Sequence, residues 1–289
     1  MKAQIKKVAI MPNVNKIESI CYVEKIANFL WQNDVEVMIE KRFNEFLNNQ
    51  KFVFVDKEET LVENSDIVIA IGGDGTIIRA SKIAAVCGKA CGKAVLGVNL
   101  GRLGFISGLE KENIFNLKSL LDGNFKVEAR AMLSATVRWE NKEETYLCLN
   151  DAVISRAGLP KISDITVLTN SNETFKFRAD GIILSTATGS TAYSFSAGGP
   201  IVAPNVKCVI LTPICSHSLV ARPIVFSDTT KLNILTKNFD KDMSLTVDGD
   251  KTINLAGTDS ICIETSNLDA RLINLEEKSF YDKIIEKLK

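Results

Sequence analysis

Asp66-Ile-Val-Ile-Ala-Ile71-Gly72-Gly73-Asp74-Gly75-Thr76-Ile-Ile78 passes from an apolar run through a glycine turn into a helical pattern. Five consecutive apolar residues, Ile67 to Ile71, have the character of a strand buried on both faces of a parallel sheet. The chain then breaks at glycine, and beyond Thr76 the apolar residues Ile77, Ile78, Ile83, Ala84 and Val86 suit the buried face of a helix. Strand, glycine turn and helix N-terminus in that order make a seat for polyphosphate. Glycine lets the backbone come close, and the first helical turn has unpaired N–H donors. Gly72, Gly73, Gly75 and Thr76 are the expected phosphate contacts.

Asp74 is the odd member of this turn. A carboxylate facing phosphates repels them unless it holds a cation or takes a proton from an attacking hydroxyl, so the turn suits phosphoryl transfer. The structural alternative is a strained strand-to-helix turn in which Asp74 caps the helix. The turn has neither the Gly-Lys-Ser/Thr ending of a P-loop nor the spacing of a dinucleotide fingerprint. A helix N-terminus contributes only about 0.3–1 kcal/mol, up to about 2 when partly buried. Without a lysine, the charge of a triphosphate calls for a divalent cation. Mg²⁺ carried by the nucleotide near Asp74 is expected, with no protein-only metal site.

Outward from this turn, the N-terminal part repeats βα. Lys7 to Pro12 and Val35 to Ile39 have strand character, and Ile17, Ile20, Val23, Ile26, Ala27 and Leu30 recur at helical spacing between them. Phe52 to Val55 is compatible with a strand or a packed loop. Ala94 to Val98 is a further buried strand, followed by Asn99-Leu-Gly-Arg102-Leu-Gly-Phe105 at a carboxyl end, the side where open α/β sheets bind ligands. Ile114, Leu117, Leu120 and Leu121 predict a short helix. From Phe125 the pattern becomes strands: Phe125–Trp139, Tyr146–Ser155, Ile162–Leu168, Thr174–Arg178, Ile182–Leu184, Cys208–Leu211, Leu232–Leu235, Ser244–Val247, Ser260–Glu264 and Arg271–Leu275. The expected architecture is an α/β N-terminal domain with a parallel sheet, residues 1–123, followed by a β-rich, sandwich-like domain, 124–277. A C-terminal helix, 278–289, is free to pack back on the first domain.

Composition sets the outer limits. With 289 residues, 46% of them hydrophobic and 24% charged, the chain has enough apolar material for two domains. Lys plus Arg and Asp plus Glu are equal at 35 each, which argues against a nucleic-acid partner while permitting a local basic patch. The start, Met1 to Lys7, lacks the apolar run of a signal peptide, and no stretch has membrane-spanning length, so a cytoplasmic location without a membrane partner is expected. Seven cysteines without framework spacing are read as free thiols. Cys87 and Cys91 lie four apart, but nothing supplies the other ligands of a zinc site.

Three further constellations bear on chemistry. Asn150-Asp151 ends the apolar Tyr146–Leu149 run; an amide beside a carboxylate can bind a base edge and a ribose diol together, although the pair also suits a plain turn. Arg178-Ala-Asp180-Gly-Ile-Ile-Leu-Ser185-Thr-Ala-Thr188-Gly-Ser-Thr191-Ala192-Tyr193 places five hydroxyl residues around one glycine after a strand, a density able to surround a sugar–phosphate, with the Tyr193 ring beside it. The only histidine, His217, has no hydrolase or metal partner spacing; it and Arg102 are candidate ligand-loop residues. Asp248-Gly-Asp250 reads as a hairpin turn, with the rim of a site as the other placement.

Together these segments resemble the NAD kinases over nearly the whole chain: Gly72–Thr76, Asn99–Phe105, Asn150-Asp151, Asp180–Tyr193, Ala197–Ile201 and Thr212–His217. The glycine turn is shared with lipid kinases of the diacylglycerol and sphingosine type; the Thr188–Tyr193 run singles out NAD kinases. The resemblance implies ATP-dependent phosphorylation of the 2′-hydroxyl of the adenosine ribose of NAD, with ATP or polyphosphate as donor. It makes Asp74 the catalytic carboxylate. Gly75 and Phe105 become lining of the NAD pocket, Asn150 and Asp151 the adenosine contacts, and Asp180 a contact at the nicotinamide end. Thr188, Thr191, Ala192 and Tyr193 become adenine and ribose walls, and Arg178 is tied to preference for NAD over NADH. A homodimer or homotetramer with its active site between the domains is implied. Asp151 stands where the family usually has glutamate, and Ala187 where it usually has proline. The rivals are a lipid kinase of the diacylglycerol type and a non-catalytic dinucleotide-binding regulator.

Overall fold

The computed structural model describes residues 5–14, 17–47, 49–88, 92–101, 104–156, 162–170, 172–217, 221–235, 242–275 and 278–287, leaving aside the side chains of Ile17 and Asp259. Two units divide the chain: Met1–Ala129 with Leu268–Lys289, and Arg130–Asn267.

The first unit opens with β1 (Lys7–Pro12), α1 (Ile17–Gln32), β2 (Glu36–Glu40), β3 (Val53–Val55), α2 (Glu58–Glu63), β4 (Ile67–Gly72), α3 (Asp74–Cys87) and β5 (Ala94–Asn99). The strands pair in parallel in the order β3-β2-β1-β4-β5, with Ile10 level with both Ile39 and Ile69. The chain builds outward from β1 through β2 to β3, then returns to lay β4 on the other side of β1. That reversal is a topological switch point, and it opens a crevice beyond the strands' carboxyl ends. Pro12 and Gly72 are those ends, and Asn13 N donates to Ile71 O across the gap at 2.8 Å. Topology thus sets the glycine turn where such sheets bind ligands.

Helix α1 buries Val23, Ile26, Ala27 and Leu30 against this sheet, beside Ile10, Ile69 and Leu96, all fully inaccessible. Each such side chain contributes about 1.5–3 kcal/mol when removed from water. The unit continues with β6 (Leu109–Glu110), parallel to β5, and α4 (Leu117–Leu121). Of the Phe52 to Val55 stretch, compatible in sequence with a strand or a packed loop, Val53–Val55 forms the edge strand β3.

The second unit takes most of β7 (Lys126–Trp139), then β8 (Lys142–Cys148), β9 (Asp151–Arg156), β10 (Ser163–Thr169), β11 (Thr174–Ala179), β12 (Gly181–Ser185), α5 (Tyr193–Ser196), β13 (Cys208–Ile214), β14 (Ile224–Ser227), β15 (Leu232–Leu235), β16 (Met243–Val247), β17 (Lys251–Asn254) and the first part of β18 (Thr258–Asn274). One antiparallel sheet runs β14-β13-β12-β9-β16-β17, and β11, β10, β15 and β18 run antiparallel in another. Alternate residues such as Ile154, Ile182, Leu184, Leu211, Leu245, Ile165, Val167, Ile234 and Ile263 interleave as the core of a β-sandwich. The last residues of β18 return to the first unit, where Arg271–Ile273 pair in parallel with Ala94–Leu96. Helix α6 (Phe280–Lys287) follows and belongs to the first unit too.

Some strands differ from expectation. Tyr146–Ser155 is two strands broken at Leu149-Asn150, and Ser260–Glu264 with Arg271–Leu275 is one long strand whose polar middle hides its continuity. β14 and β17 escape the sequence because both are four-residue edge strands with no buried residue, too short to show a period. Among the described residues no helix is long and apolar enough to cross a membrane.

Candidate active site

In the first unit, β4 delivers the chain into α3 through Gly72-Gly73-Asp74. Gly73 is the N-cap, with φ −102 and ψ −174, and no side chain caps the helix. Asp74 therefore does not play the capping role. Its Oδ2 accepts a hydrogen bond from Phe105 N at 3.3 Å. Its Oδ1 is buried with no hydrogen-bond partner among the described residues. A Cβ added to Gly104 would stand 2.4 Å from that oxygen, so the carboxylate lies directly against the turn that follows β5. Leaving a buried acceptor unpaired costs about 1–3 kcal/mol. An oxygen so placed is suited to a cation or an incoming hydroxyl.

The glycines differ in purpose. A Cβ on Gly72 would meet Thr76 Oγ1 at 2.4 Å, so glycine there closes the turn. Around Gly73 and Gly75 nothing lies within 4 Å of where a Cβ would stand; the missing side chains leave the backbone open to approach. Thr76 N and Ile77 N are spent on Gly73 O at 3.0 and 3.3 Å.

The turn facing Asp74 is itself braced. Ser107 Oγ donates to Glu110 Oε1 at 3.0 Å, Asn99 Nδ2 donates to Glu110 Oε2 at 2.7 Å, and Gly101 N donates to Asn99 Oδ1 at 3.1 Å. Phe105 is half-buried. Arg102, expected in this loop, lies outside the described residues. No cluster of three or more His, Cys, Asp or Glu residues able to hold a metal exists among the described residues. Asp74 is the group on this turn available to a cation that arrives with a nucleotide.

In the second unit, Asn150 and Asp151 sit at the corner between β8 and β9, fixed by a residue far along the chain. The carboxylate of Asp248, in the β16–β17 turn, accepts from Leu149 N, Asn150 N and Asp151 N at 3.1, 2.7 and 3.1 Å. Asp248 N donates back to Asp151 O at 2.9 Å, and Asp248 has a φ of 50. Asp151 is only 4% exposed. Burial, with the neighbouring Asp248 charge adding to it, pushes the Asp151 carboxyl up to about 7.

The hydroxyl-rich segment docks on this corner. Thr186 N donates to Asn150 O at 2.9 Å, Thr186 Oγ1 donates to Leu149 O at 2.7 Å, and Gly189 N donates to Thr186 Oγ1 at 2.9 Å. A Cβ on Gly189 would meet Asn150 O at 2.1 Å; only glycine permits that approach. Several hydroxyls in and beside this segment make hydrogen bonds within the loop. Ser190 Oγ donates to Ala187 O and accepts from Val202 N, Thr191 Oγ1 donates to Thr188 O, and Ser194 Oγ pairs with Thr212 Oγ1. Most of them hold the loop in shape. Thr188 is buried, Thr191 and Ala192 are half-buried, and Tyr193 is exposed, leaving its ring a surface for stacking.

Arg178, Asp180 and His217 gather at the other end of β12 and β13. Asp180 N donates to Ile214 O at 3.0 Å and His217 N to Arg178 O at 2.9 Å. Arg178 and His217 are exposed and Asp180 is half-buried.

A parallel α/β unit with an acidic phosphate turn at its switch point, in one chain with a β-sandwich that rigidly presents an amide and a carboxylate, defines a nucleotide-dependent phosphotransferase. The ATP-NAD kinase N-terminal domain model matches residues 8–125 and the ATP-NAD kinase C-terminal domain model residues 149–275. An NAD kinase of Thermoanaerobacter sp. (strain X514) is 35% identical over 288 residues, 98% of this chain and 99% of the relative. One from Carboxydothermus hydrogenoformans is 40% identical over 229 residues, 78% of this chain and 80% of the relative. The crystal structure of an Archaeoglobus fulgidus NAD kinase in complex with ATP is similar at a TM-score of 0.75 and 27% identity, covering 98% of both chains. Yeast NADH kinase complexed with NADH shares the fold at a TM-score of 0.87 and 24% identity, covering 99% of this chain and 88% of the other. The chain belongs to the NAD kinase family.

Proposed function

We propose that this chain transfers the γ-phosphoryl group of ATP to the 2′-hydroxyl of the adenosine ribose of NAD, yielding NADP and ADP. The observation that carries the assignment is the state of Asp74: one carboxylate oxygen tied to Phe105 N, the other buried and without a partner among the described residues. Held this way, the carboxylate accepts the proton of the ribose hydroxyl as its oxygen attacks the γ-phosphorus and the bond to ADP breaks. Gly72, Gly73, Gly75 and Thr76 form the seat for the donor phosphates at the start of α3, Thr76 through its side chain because its N–H is spent on Gly73 O, where the helix N-terminus favours negative charge. Mg²⁺ arriving with the nucleotide would neutralise charge on the donor phosphates, with Asp74 the carboxylate of the turn nearest to it.

Phosphate handling belongs in this reading to residues 1–123 with the C-terminal helix, and dinucleotide binding to 124–277. Asn150 and Asp151 hold the adenosine half, with the adenine and ribose against Thr188, Thr191, Ala192 and the Tyr193 ring. Phe105 lines the NAD pocket, and Asp180, Arg178 and His217 meet the nicotinamide end. The fixed Asn150–Asp151 corner supports this placement, because an edge that does not move loses little entropy on binding. A homodimer or homotetramer working in the cytoplasm completes the proposal.

Incubation with ATP and Mg²⁺ and, separately, NAD, NADH or diacylglycerol tests it. NADP formed from NAD, with slower or no reaction of NADH, is expected. A phosphorylated lipid, or dinucleotide bound tightly with no NADP made, would overturn it.

A further inference from the structure

Helix α6 is more than a tail on the first unit. It begins with a capping box: Asp282 N donates to Ser279 Oγ at 3.2 Å, and Ser279 N and Oγ donate to Asp282 Oδ2 at 2.9 and 2.7 Å. One turn on, Lys283 is only 5% exposed, and its Nζ donates to Ser107 O at 2.7 Å. Burying an ammonium is costly unless hydrogen bonds hold it. Phe280 packs on Phe105 with ring centroids 6.3 Å apart, and Lys287 Nζ lies 3.9 Å from the centre of the Phe105 ring. Just upstream, Leu275 N donates to Gly108 O at 3.0 Å, and a Cβ on Gly108 would stand 1.9 Å from Ile273 O. The C-terminal segment therefore grips the turn 104–108 at three points. That is the turn whose Phe105 N holds Asp74 Oδ2 and whose Gly104 lies against Asp74 Oδ1.

We infer that Lys283 is a positioning residue for phosphoryl transfer, acting through Ser107 and Phe105 to fix the Asp74 carboxylate; this rests on Asp74 being the catalytic base. Glu110 braces the turn from one side through Ser107 Oγ, and Lys283 braces it from the other through Ser107 O. Removing the second brace frees the carbonyl and lets Phe105 N drift from Asp74. A displacement of this kind costs turnover by as much as about a hundredfold without touching substrate.

The test is a kinetic cycle on the full chain, measuring NADP formation by wild type, Lys283→Met, Asp74→Asn and the double variant. Methionine keeps an unbranched chain of similar length and removes only the donor and its charge. We expect Lys283→Met to lower kcat about tenfold or more with the KM for NAD within about threefold, and the loss to shrink to within about twofold when Asp74 is already asparagine. A kcat within about twofold of wild type, a change confined to KM, or an equal loss in both backgrounds overturns the inference. If Lys283→Met does not fold, Phe280→Ala, which loosens the same helix without disturbing a buried charge, is carried through the same cycle and judged by the dependence of its kcat loss on Asp74. Wild type making no NADP refutes the kinase assignment itself, an outcome distinct from all of these.

Discussion

Replacing Asp248 by alanine removes one carboxylate that serves three backbone donors, Leu149 N, Asn150 N and Asp151 N. A hydrogen bond to a charged group contributes about 1.5–3 kcal/mol. Three of them would suggest about 4.5–9 kcal/mol, but two effects work against that sum. Water reclaims part of the donors at this half-buried corner, and Asp151 is relieved of a neighbouring negative charge. A net destabilisation of about 3 kcal/mol is expected, which lowers Tm by roughly 6–12 °C. The freed corner also raises the KM for NAD, by about tenfold or more, with a smaller effect on kcat, because the damage is to binding geometry and not to Asp74. Calorimetry and steady-state NADP formation measure the two effects. Asp248→Asn keeps an acceptor and loses the charge, so it sits between wild type and alanine in stability and lets the Asp151 carboxyl fall from about 7 toward the ordinary range. An alanine variant that melts within about 2 °C of wild type with an unchanged KM refutes the assignment of Asp248 as the clamp.

Other perturbations follow from the same geometry. Gly189→Ala drives a Cβ into the Asn150 backbone at 2.1 Å and should raise the KM for NAD by about tenfold or more, read by NAD titration of initial rates. Gly104→Ala places a methyl 2.4 Å from Asp74 Oδ1 and should lower kcat while leaving NAD binding near normal, a split that isothermal titration against NAD verifies. Asp151 holds its proton in the folded state to about 7, whereas an unfolded aspartate loses it near 3.9, so the folded form binds more protons between those values. Stability should therefore fall as pH rises from about 4 to about 7 and level off above, with a slope of at most about 1.4 kcal/mol per pH unit. Denaturant melts of wild type and Asp151→Asn check this; the slope should be shallower in the variant, and equal slopes would contradict it.

The parallel half was largely legible because its strands are continuous apolar runs and its helices keep a 3.6-residue period. Asp74 sets the glycine turn apart from a plain phosphate cradle, and the structure holds one of its oxygens against the turn after β5. What sequence could not show was which atoms are spent internally. Ser190 and Ser194 have the residue type of ligand contacts, yet their hydroxyls close the loop on Ala187 O, Val202 N and Thr212 Oγ1. Asp248 read as a hairpin residue because the donors it satisfies lie 97 to 99 positions earlier in the chain. Its positive φ is the local sign of an unusual turn, and it is silent about the partner. Lys283 was hidden for the same reason: a lysine on an amphipathic helix reads as solvated until its Nζ is seen on a carbonyl 176 positions away.

In the proposed reaction Asp74 removes the proton of the ribose hydroxyl during phosphoryl transfer. Single-turnover formation of NADP by Asp74→Asn, alongside NAD binding to the same variant, examines it most directly. NAD affinity within about threefold of wild type and a rate lowered by roughly 10²–10⁴ are expected. A rate near that of wild type, with affinity intact, would contradict it.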